Sequence, residues 1–273
     1  MRTIKRIATA ALLLGFGLSC SPALSQGSDD EISSKVKIPV NAAQVKKIMV
    51  KDLLGGIVVK GVQGNEISIE VQGYSKPPKR ADGLKPVYGT ACVDNTGIGI
   101  AANESAGILT LCGASRGSRD AKYTMYIPRS IAVSIEYQSP FANDDIEISD
   151  MEGEIEVATL TANIKCHNVT GPLVLSSTSG DAEVTVSKLN QSSPTSIMLT
   201  SGDLDLTLPA STPANLYMNS ISGEIYTDFE LSMKSKKDNL QRIGGGDIDC
   251  TINNGGVKVK LNCISGNIYL RKK

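Results

Sequence analysis

Asp144, Asp145, Glu147 and, further on, Glu156 are the residues of this sequence whose types and spacing could perform acid–base chemistry. Two carboxylates flanking a glycosidic bond can protonate the leaving oxygen and activate, or become, the nucleophile. Such a set invites a polysaccharide lyase or hydrolase, provided the acids converge in a lateral cleft. His167 is the sole histidine, and no GxSxG elbow accompanies it, so a Ser-His-Asp machine has no nucleophile to serve. Asp181, Asp203 and Glu224 each follow a Ser-Gly pair and raise the question of calcium. Calcium takes six to eight oxygens around one point, and the glycine-rich calcium-binding nonapeptide is missing, so these acids read as turn formers. Gly244-Gly245-Gly246 is followed by DIDCTI, a strand pattern and not a helix, so the phosphate-cradling mechanism is missing too. No catalytic, cofactor-binding or metal residue is assigned, and no cofactor is expected.

Cysteine supplies the other reactive chemistry. The chain has six, and one falls in its first 25 residues. Five remain, so at least one is left unpaired within the chain. Cys92 and Cys112 flank the glycine-rich stretch CVDNTGIGIAANESAGILTLC and could close it as a disulfide, worth about 3 kcal/mol in the chain-entropy model. Cys166, Cys250 and Cys263 sit at inward positions of an alternating pattern and read as small core hydrophobes.

That pattern is the framework for everything else. Apolar-x-apolar triplets begin at 146 (IEI), 155 (IEV), 164 (IKC), 173 (LVL) and 182 (AEV), in steps of nine residues. They continue as IML at 197, LDL at 204, LYM at 216, IYT at 225, IDC at 248, VKV at 257 and IYL at 268. IMV at 48, IVV at 57 and ISI at 67 precede them. Alternation over three to five residues is a strand signal, because successive side chains point to opposite faces. Gly, Asn, Ser, Asp and Thr between the triplets form turns. Strands this short bury nothing alone, and a fixed period tells how they manage: coil stacks on coil. The expected fold is all-β, a parallel β-helix or β-solenoid with a short strand about every 9–11 residues. A meander of hairpins is the competing arrangement.

The phrase SGDAEV at 179, SGDLDL at 201, SGEIYT at 222 and SGNIYL at 265 marks the corners. Glycine there is expected to supply positive φ, and the acid or amide after it to bond nearby backbone amides. The number of faces per coil stays open. Assigning alternate triplets to two faces puts Glu147, Lys165, Glu183, Asp205, Tyr226, Asp249 and Tyr269 outward on one. The other carries Glu156, Val174, Met198 and Tyr217. Val174, Met198 and Tyr217, consecutive and apolar, either mark a partner site or lie beneath an insertion near 230–245. Arg271-Lys272-Lys273 directly follows the last strand, so it is expected to guard an open solenoid end against stacking.

Lys plus Arg and Asp plus Glu both number 28, so no basic field draws nucleic acid. Aromatics make up 4% with no Trp, which argues against a stacking platform for single strands. Arg2, Lys5 and Arg6 precede an apolar run from Ile7 to Leu18, shorter than the roughly 20 residues a spanning helix needs. With Ala-Leu-Ser at 23–25 this reads as a signal peptide over 1–25, cleaved before Gln26. Cys20 offers a rival, acylated form, though Gly17 stands where that pattern places Leu. One solenoid domain over 26–273 is expected, with a loop insertion near 73–122, and no later segment is apolar enough to cross a membrane.

The segments KDLLGGIVVKG (51–61), DGLKPV (82–87), YIPRSIAVSI (126–135) and MEGEIEVATLTANIKCHNVTGPLVLSSTSGD (151–181) resemble the bacterial putative-adhesin family. IGGGDIDCTINNGGVKVKLNCISGNIYLRKK (243–273) is similar to that family's C-terminal ending. The resemblance spans roughly 40–273. It implies an exported, right-handed parallel β-helix of the periplasm or cell surface, and it brings no catalytic residues. The expected role is a noncatalytic adhesin or interaction scaffold, monomeric, whose partner is an envelope or surface protein or a glycan. The polysaccharide-acting enzyme is the alternative.

Overall fold

The structure is a computed structural model, which describes residues 31–84, 92–139, 144–233 and 248–273. Twenty-one strands succeed one another along the described chain. The first eight are β1 (Glu31–Lys37), β2 (Lys47–Lys51), β3 (Gly56–Val62), β4 (Ser68–Ser75), β5 (Ile100–Ser105), β6 (Ile108–Gly113), β7 (Lys122–Pro128) and β8 (Ala132–Tyr137). Next come β9 (Ile146–Ser149), β10 (Ile155–Thr159), β11 (Ile164–Val169), β12 (Leu173–Ser179), β13 (Ala182–Val186), β14 (Thr195–Ser201) and β15 (Leu204–Leu208). The last are β16 (Ala214–Ser220), β17 (Ile225–Thr227), β18 (Ser232–Met233), β19 (Ile248–Ile252), β20 (Val257–Ser265) and β21 (Ile268–Lys272).

They form two sheets. One runs β1-β4-β7-β3-β9-β11-β13-β15-β21-β17; the other runs β18-β19-β16-β20-β14-β12-β10-β8-β2-β6-β5. Consecutive strands from β8 to β15 alternate between the two sheets, and each from β8 to β13 pairs in parallel with the strand two places on. This is the expected solenoid, with two faces per coil. The nine-residue step crosses from sheet to sheet, and eighteen residues complete a coil, as in Ile146↔Ile164 and Ile164↔Ala182.

Alternation does the packing. In the first sheet Ile146, Ile164, Ala182, Leu204 and Ile268 form one inner column; Ile148, Cys166, Val184, Leu206 and Leu270 form the next, all at most 1% exposed. Each apolar residue buried in full contributes about 1.5–3 kcal/mol relative to exposure. Burial pushes the Cys166 thiol up to about 12 and the Cys263 thiol up to about 11, so both stay protonated at neutral pH and pack as apolar groups.

The corner phrase has a cause that the sequence alone does not disclose. A Cβ on Gly202 would lie 2.5 Å from the Gly180 carbonyl oxygen, and one on Gly266 would lie 2.0 Å from that of Gly202. A Cβ on Gly223 would lie 2.0 Å from the oxygen of Gly266. The glycines stack, and each leaves room for the carbonyl of the coil beneath. Positive φ holds at Gly202 (133°) and Gly266 (135°) but not at Gly180 or Gly223, so close approach and not φ is the common requirement. The residue after each glycine builds a second ladder. Asp181 N–H donates to Asn163 Oδ1 (3.0 Å), Asp203 N–H to Asp181 Oδ1 (2.8 Å), Asn267 N–H to Asp203 Oδ1 (2.7 Å) and Glu224 N–H to Asn267 Oδ1 (3.0 Å). These side chains satisfy corner amides that sheet pairing leaves over.

Coil order departs from chain order twice. β20 lies between β14 and β16, and β21 between β15 and β17, so the last coil enters the stack ahead of the one made before it. At the other end β2 lies between β6 and β8, and β3 between β7 and β9. This corrects the expectation that each coil follows its predecessor throughout. It also removes Arg271-Lys272-Lys273 from the solenoid end. Arg271 bonds Asp205, the Lys272 N–H donates to Asp228, and Lys273 exchanges backbone bonds with Leu208 and Ala210. Antiparallel additions finish the stack: β5 on β6, β4 on β7 and β1 on β4 at one end, β19 on β16 and β18 on β19 at the other. The span 73–122, expected as a loop insertion, contributes β5 and β6 to this finishing. Residues 1–25 and Cys20 lie outside the described residues. No helix among those described is long and apolar enough to cross a membrane.

Candidate functional site

The outward side chains divide by sheet. On the β9-containing sheet, Glu147, Lys165, Glu183, Asp205, Tyr269 and Tyr226 stand side by side in register. Most of that row's charge is answered locally. Lys122 reaches Glu147 at 3.4 Å, Lys165 bonds Asp145, and Arg271 Nε reaches both oxygens of Asp205 at 3.0 and 2.8 Å. Its aromatic end is likewise engaged. The Tyr226 and Tyr269 rings stack at 5.3 Å and 11°, the Arg271 guanidinium lies 5.3 Å from the Tyr269 centroid, and Tyr226 donates its hydroxyl to Glu224 at 2.6 Å. Asp249, expected in this row, belongs to β19 on the other sheet, because the strand order was not the chain order.

Three of the four acids that invited catalysis share a groove, and the fourth does not join them. Asp144, Asp145 and Glu147 line an open groove of about 500 Å³ with Asp120, Lys122 and Gly56. Glu156 stands on the opposite sheet and takes a 2.5 Å bond from Lys47. The Lys165 bond holds the Asp145 carboxyl below the usual range, and the Lys47 bond does the same for Glu156. Both therefore favour the ionised form, the wrong direction for a general acid at neutral pH.

The second sheet carries the residues expected to meet a partner. Val174, Met198 and Tyr217 are exposed by 45%, 49% and 38%. They do not make one stripe. Register pairs Val174 with Ser196, Ser196 with Lys260 and Lys260 with Tyr217, while Met198 faces Ser176 and Asn262 in the neighbouring row. A two-residue offset keeps every side chain on its face, since the period is two, but moves it along the strand. Insertion of β20 then puts a lysine between the apolar positions. The segment 234–247, which includes Gly244-Gly245-Gly246 and most of the insertion near 230–245, lies outside the described residues.

The late-inserted strand also builds a concavity. Asn215 and Tyr217 of β16, Asp249 of β19, and Lys258 and Lys260 of β20 border an open groove of about 470 Å³. Lys258 faces Asn215 across the ladder, Lys260 faces Tyr217, and Tyr217 faces Asp249. The Lys260 ammonium lies 5.8 Å from the Tyr217 ring centroid. Neither lysine has a carboxylate within ion-pair reach among the described residues. The arrangement presents an aromatic ring beside two cations. Sequence reading passed over these lysines; the signal was VKVKL at 257–261, with both charges on the outer phase.

The remaining candidates are structural. Cys92 and Cys112 are joined in a disulfide with Cα atoms 6.2 Å apart. Asp94 organises the loop it closes by accepting from the N–H groups of Thr96, Gly97 and Gly99. Cys166, Cys250 and Cys263 point into the core. His167 is exposed on β11. The corner acids belong to the amide ladder, and among the described residues no group of His, Cys, Asp or Glu is placed to hold a metal ion.

Residues 142–271 match the family described as Toastrack DUF4097. A putative cell adhesion protein from Clostridium sporogenes is similar in structure, with 11% identity, a TM-score of 0.42, and coverage of 89% of this chain and 100% of its own. A putative adhesin from Bacteroides fragilis follows at 12% identity and a TM-score of 0.38, covering 90% and 98%. One from Parabacteroides merdae stands at 9% and 0.29, covering 90% and 98%. No curated protein matches this chain.

Proposed function

From a chain whose residues 142–271 match the family described as Toastrack DUF4097, we propose a noncatalytic, exported protein of the cell envelope that acts as an adhesive or interaction scaffold. The observation that supports it is the outer face of the β16-containing sheet, where Val174, Met198 and Tyr217 stand exposed on a broad frame of hydrogen-bonded strands. Holding such side chains on a regular sheet fixes their spacing in advance, which lowers the ordering cost of binding. The partner is an envelope or surface protein or a glycan. Cleavage after Ser25 releases the chain to the periplasm or surface, with acylation at Cys20 as the lesser route.

Two measurements test this. Mass analysis of the mature N-terminus should show a chain beginning at Gln26. Cross-linking in intact cells should recover the same envelope component from the native chain and lose it when Val174, Met198 and Tyr217 are changed together to Ser. Reproducible cleavage of an envelope polysaccharide, abolished by Asp145→Asn, would instead establish an enzyme.

A further inference from the structure

We infer that the groove bordered by β16, β19 and β20 binds an acidic saccharide, with Lys258 and Lys260 taking its carboxylate and the Tyr217 ring taking the C–H face of a sugar. The inference rests on the binding role proposed above and gives it a ligand class. Charge comes first. Lys258 and Lys260 are exposed, lie two residues apart on one strand, and face Asn215, Tyr217 and Ser196, none of them acidic. At about 3.4 Å per residue their Cα atoms are about 7 Å apart, so two long side chains can meet on one carboxylate. Elsewhere on the sheets Lys47, Lys122, Lys165 and Arg271 are each met by a carboxylate. Asp249 offsets one of these two charges, so the described lining of the groove keeps a net positive charge, and a concave site with such an excess is where a ligand's negative charge gains most.

Shape and backbone chemistry decide the class. β16, the groove floor, is paired on both sides, to β19 and to β20. It offers an extended peptide no free edge, so strand addition is closed to this groove. A saccharide needs no such edge; it needs a ring face and a few polar groups, which Tyr217, Asp249 and the lysines supply. Equal numbers of basic and acidic residues remove the long-range field that a nucleic-acid backbone requires.

The test is titration of the purified chain at low salt with oligomers of galacturonic and glucuronic acid, alongside their methyl esters. Saturable binding of at least one acidic oligomer is expected, weakened about tenfold or more by Lys258→Gln with Lys260→Gln, and by Tyr217→Leu. The ester should bind more weakly than the acid, and Lys165→Gln on the other sheet should change nothing. Thermal melts of each variant separate loss of binding from loss of fold, and Tyr217→Leu serves if the lysine variant is unstable. Three outcomes overturn the inference: no saturable binding of either acidic oligomer, binding indifferent to the substitutions, or oligoglutamate or sulfate bound as tightly as the uronate. If cross-linking to the envelope component persists while uronate binding fails, the ligand class falls and the scaffold role stands.

Discussion

The two outer faces of this solenoid share one core and one set of corners, yet they end differently. The β9-containing sheet carries Glu147, Lys165, Asp205, Tyr269 and Tyr226 with their charges and rings mostly satisfied by neighbours. The β16-containing sheet leaves Val174, Met198 and Tyr217 exposed and sets two lysines beside a tyrosine. A sheet whose surface charges pair with one another has less left to offer a partner than one whose Lys258 and Lys260 make no ion pair among the described residues. The difference teaches where binding belongs on a frame that is otherwise nearly uniform.

The comparison is broken most strongly from inside. Leu206→Ala and Leu199→Ala remove equivalent core side chains behind the two faces, and each should cost about 3 kcal/mol in urea unfolding. Clearly unequal costs would show that the sheets differ in packing as well as in surface. Next is Gly266→Ala, which drives a methyl group against the Gly202 carbonyl. It should cost about 2–3 kcal/mol by overpacking and loosen both faces together, as followed by a probe on each sheet.

Acid should act on both faces at once, through Asp145 on one and Glu156 on the other. Their carboxyl groups titrate lower in the folded chain than in the unfolded one. Near and below the unfolded values of about 4, the unfolded chain binds more protons. The stabilisation is therefore present above that range and is lost as pH falls through the folded values. Each side chain is about a third exposed, so solvent screening keeps each contribution under about 1 kcal/mol. Melting temperatures between pH 6 and pH 3 should fall, less steeply in Asp145→Asn. Smallest of all, Lys165→Gln should cost a few tenths of a kcal/mol at low salt and less at high salt. Lys258→Gln, which breaks no pair among the described residues, should leave stability unchanged and alter binding alone.

Much of this was legible in the residues. Ile146, Ile148, Ile164, Cys166, Leu204 and Leu206 announced their inward direction by alternation, and all are buried. The Ser-Gly phrase announced corners, although the need for glycine arises from the carbonyl of the coil below and so from a neighbour that no single coil reveals. The surface was less legible. Val174 and Met198 each looked outward as expected, but nothing in either strand shows that Val174 faces Ser196 and Met198 faces Asn262. The last two Ser-Gly phrases, at 222 and 265, stand 43 residues apart, and that stretch of chain is not a further ascent. It is a return, which brings Gly266 between Gly202 and Gly223.

The sequence by itself determined which side of each strand is apolar and where the chain turns, because both depend on residues adjacent in the chain. Only the tertiary structure decided which strands are neighbours, which coil enters out of turn, and thus that Lys260 stands beside Tyr217. Parallel ladders present the same backbone groups to any strand of suitable length, so strand order is settled by how all the coils fit together.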